Sequence, residues 1–407
     1  MTTALEIVLW ASLGSIVFTH FGYPAILWVL NALGVGFGDP IDRPRRRASR
    51  FQNASEPDPP NEVLEGPEGL PVRLPRVSLI VAAYDEEDVI AMKVANAISL
   101  DYPRELLQVI VASDGSGDAT VERARGAGAD LVLDLPRQGK TETQNQAARE
   151  ADGEILAFSD ANSIWEDVAL RNLVEPFLDP SVAYVCGQVK FTGPDGGNLE
   201  GAYWAWEMKV RQLESGFAGV TAGNGAIYAV RARDYIELGP AGSHDLSFPF
   251  AFAREGLASI YRPAARAIEK MVPSLEGELA RKRRRMIGLW DIVIGERMID
   301  LRGLGPAYGF EILSHRILRY LTPFLHLALF LSNLVLVFAL DAGPLYTVLL
   351  ILQAAFLLAA IAGRWLPLLP FRIARYYSMT TAAIGLGLWD RWRRGRPGTW
   401  EKAEGTR

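Results

Sequence analysis

Residues 4–33 run for thirty positions with one charge, Glu6. A helix crossing the hydrocarbon core of a bilayer needs about 20 predominantly apolar residues, so this stretch predicts a membrane-spanning N-terminal helix within residues 1–38. A cleaved signal peptide would carry a basic start and a shorter apolar core. No Lys or Arg precedes Arg43, so a retained helix is the expectation. Near the other end, 323–340 and 344–362 are each about one bilayer long, and Asp341-Ala342-Gly343 joins them. They predict a transmembrane helical hairpin over 323–362. Hydrophobic residues make up 49% of the chain and charged residues 22%, values that alone would suit a soluble protein. The constraint comes from where the apolar residues lie.

Arginine placement gives the expected orientation. Arg43, Arg45, Arg46, Arg47 and Arg50 follow the first helix, and basic residues collect on the cytoplasmic side. The N-terminus is therefore predicted outside and the chain after Asp39 inside, in a multi-pass protein of the inner or plasma membrane. Residues 39–76 are rich in Pro, Glu and Arg and predict a flexible cytoplasmic linker. Asn53-Ala54-Ser55 matches a glycosylation sequon, which carries no meaning in that compartment. Residues 306–322 mix apolar and basic positions at helical spacing, and 291–322 are expected to form amphipathic helices on the cytoplasmic surface. Within 363–407, the segment 376–389 is flanked by Arg372, Arg375, Arg391, Arg393, Arg394 and Arg396. An interfacial helix with a basic tail breaks the charge rule less than a fourth crossing. The net charge of −5 argues against nucleic acid as a partner. The single cysteine, Cys186, excludes an internal disulfide and is expected to be a buried apolar residue.

The middle of the chain reads differently. Val77–Ala83 is a continuous apolar run, as a parallel strand buried on both faces requires. Strands at 107–112, 131–135 and 155–159 alternate with helices at 86–97, 119–127 and 141–150. This order predicts an α/β domain, an open and mostly parallel sheet with helices on both faces. Such sheets bind ligands at the carboxyl ends of their strands. Four polar groups stand at four consecutive strand ends: Tyr84-Asp85-Glu86, the run 113–120 from Ser113 to Thr120, Arg137-Gln138-Gly139-Lys140, and Ser159-Asp160-Ala161-Asn162. Each alone could be an ordinary turn; together they predict one crevice.

With these motifs the chain resembles the family 2 glycosyltransferases, the group that includes cellulose, chitin and hyaluronan synthases. The resemblance spans residues 77–290 and rests on VSLIVAAYDEE, the Asp-Gly-Ser-x-Asp-x-Thr pattern at 114–120, Gly139-Lys140, FSDAN at 158–162 and TAGNGAIYAVR at 221–231. It implies the nucleotide-sugar domain called GT-A. Ala83, Tyr84 and Glu86 would line the nucleotide pocket, Asp114 would hold the base or ribose, and Lys140 would support the nucleotide. Asp160 and Asn162 would occupy the metal motif, with Mg2+ or Mn2+ as cofactor and a nucleotide-sugar, expected to be a UDP-sugar, as donor. Asp245, after His244, would be the catalytic base. The alternatives are that Asp245 caps a helix starting near Leu246, and that His244 is a polar loop residue.

Two departures are visible. The metal motif ends in Asn162 rather than Asp, which a hard cation tolerates when phosphates and waters complete its shell. The processive Gln-x-x-Arg-Trp motif is replaced by Arg281-Lys282-Arg283-Arg284-Arg285. Arg284 keeps its place and could reach the donor phosphates; the same run could also bind anionic lipid. Gly223, Asn224 and Gly225 would let backbone approach the acceptor, and Trp204, near Tyr203 and Trp206, could stack on a sugar. A glycan or lipid-linked acceptor follows, with export left to a partner or to a homo-oligomer. A processive synthase, a nucleotidyltransferase and an inactive membrane scaffold are the competing readings.

Overall fold

The computed structural model describes residues 2–35, 63–65, 71–192, 199–270, 282–283, 286–366 and 368–395. Arg284 lies outside them, as do Arg281 and Arg285 and most of the 39–76 linker. Pro71–Arg73 pairs antiparallel with Val63–Glu65, and Leu74 is buried in the core. The last residues of the expected linker are therefore part of the folded body, because Leu74 supplies apolar surface beneath the sheet.

The central sheet holds β1 (Val77–Ala83), β2 (Leu107–Asp114), β3 (Leu131–Leu135), β4 (Ile155–Asp160), β5 (Ile164–Trp165), β6 (Val182–Thr192), β7 (Tyr228–Arg231) and β8 (Ala258–Lys270). Their order is β3-β2-β1-β4-β7-β6-β8-β5. The β3-β2-β1-β4 half is wholly parallel, as expected. The other half is mixed, since β7 runs antiparallel to both β4 and β6. All seven residues of β1 are buried. Leu79 and Val81 face one core with α2 (Ile90–Ile98) and α5 (Ala169–Val174), whereas Ile80 faces the other with α4 (Lys140–Arg149) and α7 (His244–Arg254). Side chains alternate along a strand, so an unbroken apolar run is what a doubly covered strand needs. The register sets Ala83 beside Ser113 and Ala82 beside Asp160. The polar groups that follow these strands thus share one edge. α3 (Thr120–Gly126) follows β2, and α6 (Leu199–Phe217) follows β6.

Among the described residues, three helices are long and apolar enough to cross a membrane: α1 (Thr2–Ala32), α9 (Pro306–Phe338) and α10 (Pro344–Ala362). α8 (Met286–Gly295) is a shorter apolar helix. α1 widens into a π-turn at Phe18–Gly22, and α9 at Ile312–Ile317. They meet there, with the Thr19 hydroxyl donating to the Ser314 carbonyl at 2.6 Å. The expected surface helix at 306–322 is corrected: it is the first half of α9, continuous with the apolar part. Tyr308, Ile312, His315 and Arg316 are buried. Those polar and apolar residues pack on α6 and the loop before β7, so the mixed pattern at 306–322 marks a contact with protein.

α11 (Leu369–Arg394) is long but lies outside the set apolar enough to span. The Arg283 guanidinium pairs with Asp390 (Nη2 to Oδ1, 2.8 Å) and Arg391 with Asp291 at 2.5 Å. Lys282 donates to the Tyr376 hydroxyl at 2.6 Å. The two described members of the basic run are therefore engaged by α11.

Candidate functional site

Two loops at the carboxyl edge are zipped together. Asp85 takes a left-handed φ of 50°, a cost that persists only where the surroundings impose it. Its amide donates to Ser116 Oγ at 3.1 Å, and its carboxylate accepts from the Gly117 amide at 2.8 Å. The Glu86 amide donates to Thr120 Oγ1 at 2.8 Å, and the Glu87 amide to Asp118 at 3.2 Å. Backbone donors that leave β1 without strand partners are satisfied by the side chains of the 113–120 run. Glu86 itself is buried, Ala83 is fully covered, and Tyr84 is half-buried.

Asp114 is completely buried. It accepts from the Gln138 amide at 2.7 Å, from the Gly139 amide at 3.0 Å, and from the Arg137 guanidinium at 3.1 Å. The carboxylate thus shapes the 137–139 loop from behind. Arg137 stacks over the Tyr84 ring, with its guanidinium carbon 3.1 Å from the centroid. Gly115 is required where it is: φ is +69°, and a Cβ there would stand 2.8 Å from the Arg137 amide nitrogen. The result is a pocket wall of Tyr84 and Arg137 held on a buried carboxylate, suited to a flat heterocycle beside phosphate.

Deeper in the crevice, Lys140 begins α4 and forms an ion pair with Asp160 at the end of β4. Gly225 faces them: a Cβ on it would lie 3.6 Å from Lys140 Nζ and 3.8 Å from Asp160 Oδ2. Asn162 is half-buried in the turn after β4. Among the described residues no cluster of three ligating side chains is preformed. Oxygen donors on one carboxylate and one amide suit a hard cation that takes its remaining ligands from phosphates and water, and the glycine leaves space for them. The residues fit Mg2+ or Mn2+ on that condition. Lys93, fully buried on α2, donates to the Ser163 carbonyl at 2.8 Å and lies 4.9 Å over the Trp165 ring. Burial pushes its pKa down to about 7 against the pull of Asp160 and Glu269.

The glycine loop runs from this pair to the candidate base. No side chain fits at Gly223, whose Cβ would fall on the Tyr184 hydroxyl. The Gly223 amide donates to the Asp245 carbonyl at 2.6 Å, and its carbonyl accepts from Arg211 at 2.8 Å. The Asn224 amide group is committed to the fold: it donates to the Gly187 carbonyl at 2.5 Å and accepts from the Ile227 amide at 3.1 Å. Asp245 lies in the first turn of α7, half-buried, and its carboxylate accepts from the Ser243 hydroxyl. Ser243 is the N-cap residue, so capping is not the task of Asp245. Trp204 is half-buried and tilted against Phe191 at 5.4 Å, and Trp206 is exposed.

His244 is corrected from a polar loop residue to a core residue. It is buried in α7, stacked on Phe248 at 4.3 Å, and bonded to the hydroxyls of Tyr228 (2.8 Å) and Tyr235 (3.3 Å). Burial, and then Lys140, hold its pKa well below the ordinary value. Gln144 donates to the Tyr228 oxygen and Tyr235 donates to Asn145. That leaves Tyr228 to donate to Nδ1 and Tyr235 to accept from Nε2–H, one neutral tautomer.

Sequence reasoning passed over Lys93, Arg211, Glu214 and Arg316. Glu214 is fully buried on α6 and accepts from the Tyr23 hydroxyl (2.9 Å), His315 Nδ1 (2.6 Å) and the Thr221 hydroxyl (3.0 Å). Burial pushes its pKa up, but His315, Arg316 and Tyr23 bring it down to about 2. Arg316 donates to the same Thr221 hydroxyl at 2.8 Å. The available signal was the spacing of Glu207, Arg211 and Glu214, which puts three charges on one face of a helix.

Residues 78–236 match the model described as Glycosyl transferase family 2. Glycosyltransferase AglE of Haloferax volcanii is 32% identical over 136 residues, which cover 32% of this chain and 44% of that protein. Beta-monoglucosyldiacylglycerol synthase of Trichormus variabilis is 25% identical over 350 residues, 79% of this chain and 66% of that protein. The chain therefore spans less than two thirds of the length of either relative. The solved structure of mannosyltransferase PcManGT from Pyrobaculum calidifontis, in complex with GDP-Man and Mn2+, superposes with a TM-score of 0.66 at 22% identity. It covers 96% of this chain and 99% of the other, so the shared fold takes in the terminal helices as well as the sheet.

Proposed function

We propose, from the match of residues 78–236 to the model of glycosyl transferase family 2, a membrane-bound enzyme that moves a sugar from a nucleotide-diphosphate donor to a lipid-linked or membrane-proximal acceptor, with inversion. The observation that carries this reading is the glycine loop whose two ends meet the two acidic residues the reaction needs, one beside its carboxylate and the other at its backbone carbonyl. Gly225 borders the Lys140–Asp160 pair, and Gly223 is bonded to the backbone of Asp245. Tyr84 and Arg137 hold the base. Asp160, with Asn162 beside it, would hold a divalent cation, which would supply positive charge against the leaving diphosphate. Lys140 supports the same phosphates, and Asp245 takes the proton of the acceptor hydroxyl as the hydroxyl attacks opposite the leaving group. The arginines at 43–50 favour a catalytic domain on the cytoplasmic side of the membrane.

A screen of UDP- and GDP-sugars with purified protein in nanodiscs, with Mg2+, Mn2+ or neither, tests the reading. Metal-dependent donor turnover that disappears in Asp160→Ala is the expected result. Turnover by Asp160→Ala at the wild-type rate would remove Asp160 from the site. The base of the donor is assigned by the same screen; the likeness to a fold solved with GDP-Man puts GDP beside UDP at the outset.

A further inference from the structure

Lys140 and Asp160 form an ion pair, and both border the small space that Gly225 leaves open. About a third of each side chain is exposed, at 29% and 31%. Asp160 is the carboxylate on which the metal reading above rests, and among the described residues it is not joined by a preformed cluster of ligating groups. We propose that the Lys140 ammonium stands in for the divalent cation in the free protein, so that metal enters only with the donor's diphosphate.

The argument is electrostatic. One carboxylate cannot favourably hold an ammonium and a dication in one small opening, since the two cations repel at contact distance. A cation held by a single carboxylate keeps most of its waters and binds weakly. A diphosphate changes the balance twice: it adds oxygen ligands for the metal, and it gives Lys140 another anion. Lys140 can reach it, because the residue sits at the first position of α4 on a flexible four-carbon stem. The N-terminus of that ten-residue helix also favours negative charge. Metal and nucleotide must then strengthen each other's binding by the same factor.

The test uses full-length protein in nanodiscs and Mn2+ binding read by electron paramagnetic resonance. Mn2+ alone is the first probe, and Mn2+ with GDP or UDP the second. Lys140→Met is expected to bind Mn2+ alone about tenfold more tightly than wild type, within the usual range of site coupling. The gain should vanish in the double variant with Asp160→Ala, and Lys140→Gln should repeat it. Equal Mn2+ affinity in wild type and both Lys140 variants, with Mn2+ and nucleotide still binding together, overturns the proposal and leaves the Asp160 assignment intact. Undiminished binding of Mn2+ with nucleotide by Asp160→Ala instead sinks the metal assignment itself.

Discussion

At the scale of single residues, each candidate carries its assignment through the bonds of its backbone as much as through its side chain. Asp245 is free of the capping task, and its carbonyl fixes Gly223. Asp245→Asn keeps that backbone bond and removes the proposed base. Donor binding should be unchanged while transfer falls by about 10²-fold or more; isothermal titration beside a product assay separates the two. Loss of donor affinity with transfer from bound donor preserved would make Asp245 a nucleotide contact. Gly223→Ala is a test of packing. Its methyl meets the rigid, fully buried Tyr184, and overpacking of this kind costs about 1–3 kcal/mol. A lowered melting temperature in detergent is expected, with a larger loss of transfer than of nucleotide binding.

At the scale of elements, the long apolar helices reach into the sheet domain. Tyr23 from α1, His315 from α9 and Thr221 from the glycine loop all donate to one buried carboxylate on α6. The π-turns of α1 and α9 cross beside it, and such turns relieve the regular helical spacing where one side chain must be re-aimed. Glu214→Gln replaces an acceptor by a group that can no longer balance Arg316. Breaking a buried ionic cluster costs about 3–5 kcal/mol. The variant should melt earlier in nanodiscs and lose transfer, and a melting temperature equal to wild type would show that Glu214 is not the junction. At the far end of the chain, α11 is held by Asp390 and Arg391 to the segment that follows the catalytic sheet.

At the scale of the whole molecule, three helices of spanning length among the described residues accompany the catalytic sheet. If the arginines at 43–50 mark the cytoplasmic side, the ties of α11 through Tyr376 to Lys282 and through Asp390 and Arg391 to Arg283 and Asp291 would keep it on the catalytic side. A reporter fused after Lys402 should therefore read cytoplasmic; an external signal would mean that α11 crosses. Three helices are too few to enclose a polar path for a glycan without exposing polar groups to lipid. Vesicles containing only this protein and a nucleotide-sugar should make short products that stay on the donor side. Long polymer accumulating inside sealed vesicles would restore the processive synthase, with helices of several copies forming the pore.

The parallel half of the sheet, the four polar clusters at its edge and the apolar helices were legible in the residues, since each follows from local periodicity. A strand buried on both faces must be apolar throughout, as Val77–Ala83 is, and a spanning helix must be apolar for its whole length. What local pattern cannot carry is the identity of a distant partner. Asp114 read as a ligand contact, and only the fold shows that the Gln138 and Gly139 amides also bond to it. His244 read as a loop residue until two tyrosines and Phe248 enclosed it. The basic spacing of 306–322 was a correct sign of amphipathicity, but the sequence does not state whether the polar face meets headgroups or Glu214. That choice belongs to tertiary structure, because a buried charge is tolerated only where chain segments far apart in sequence bring its partners to it.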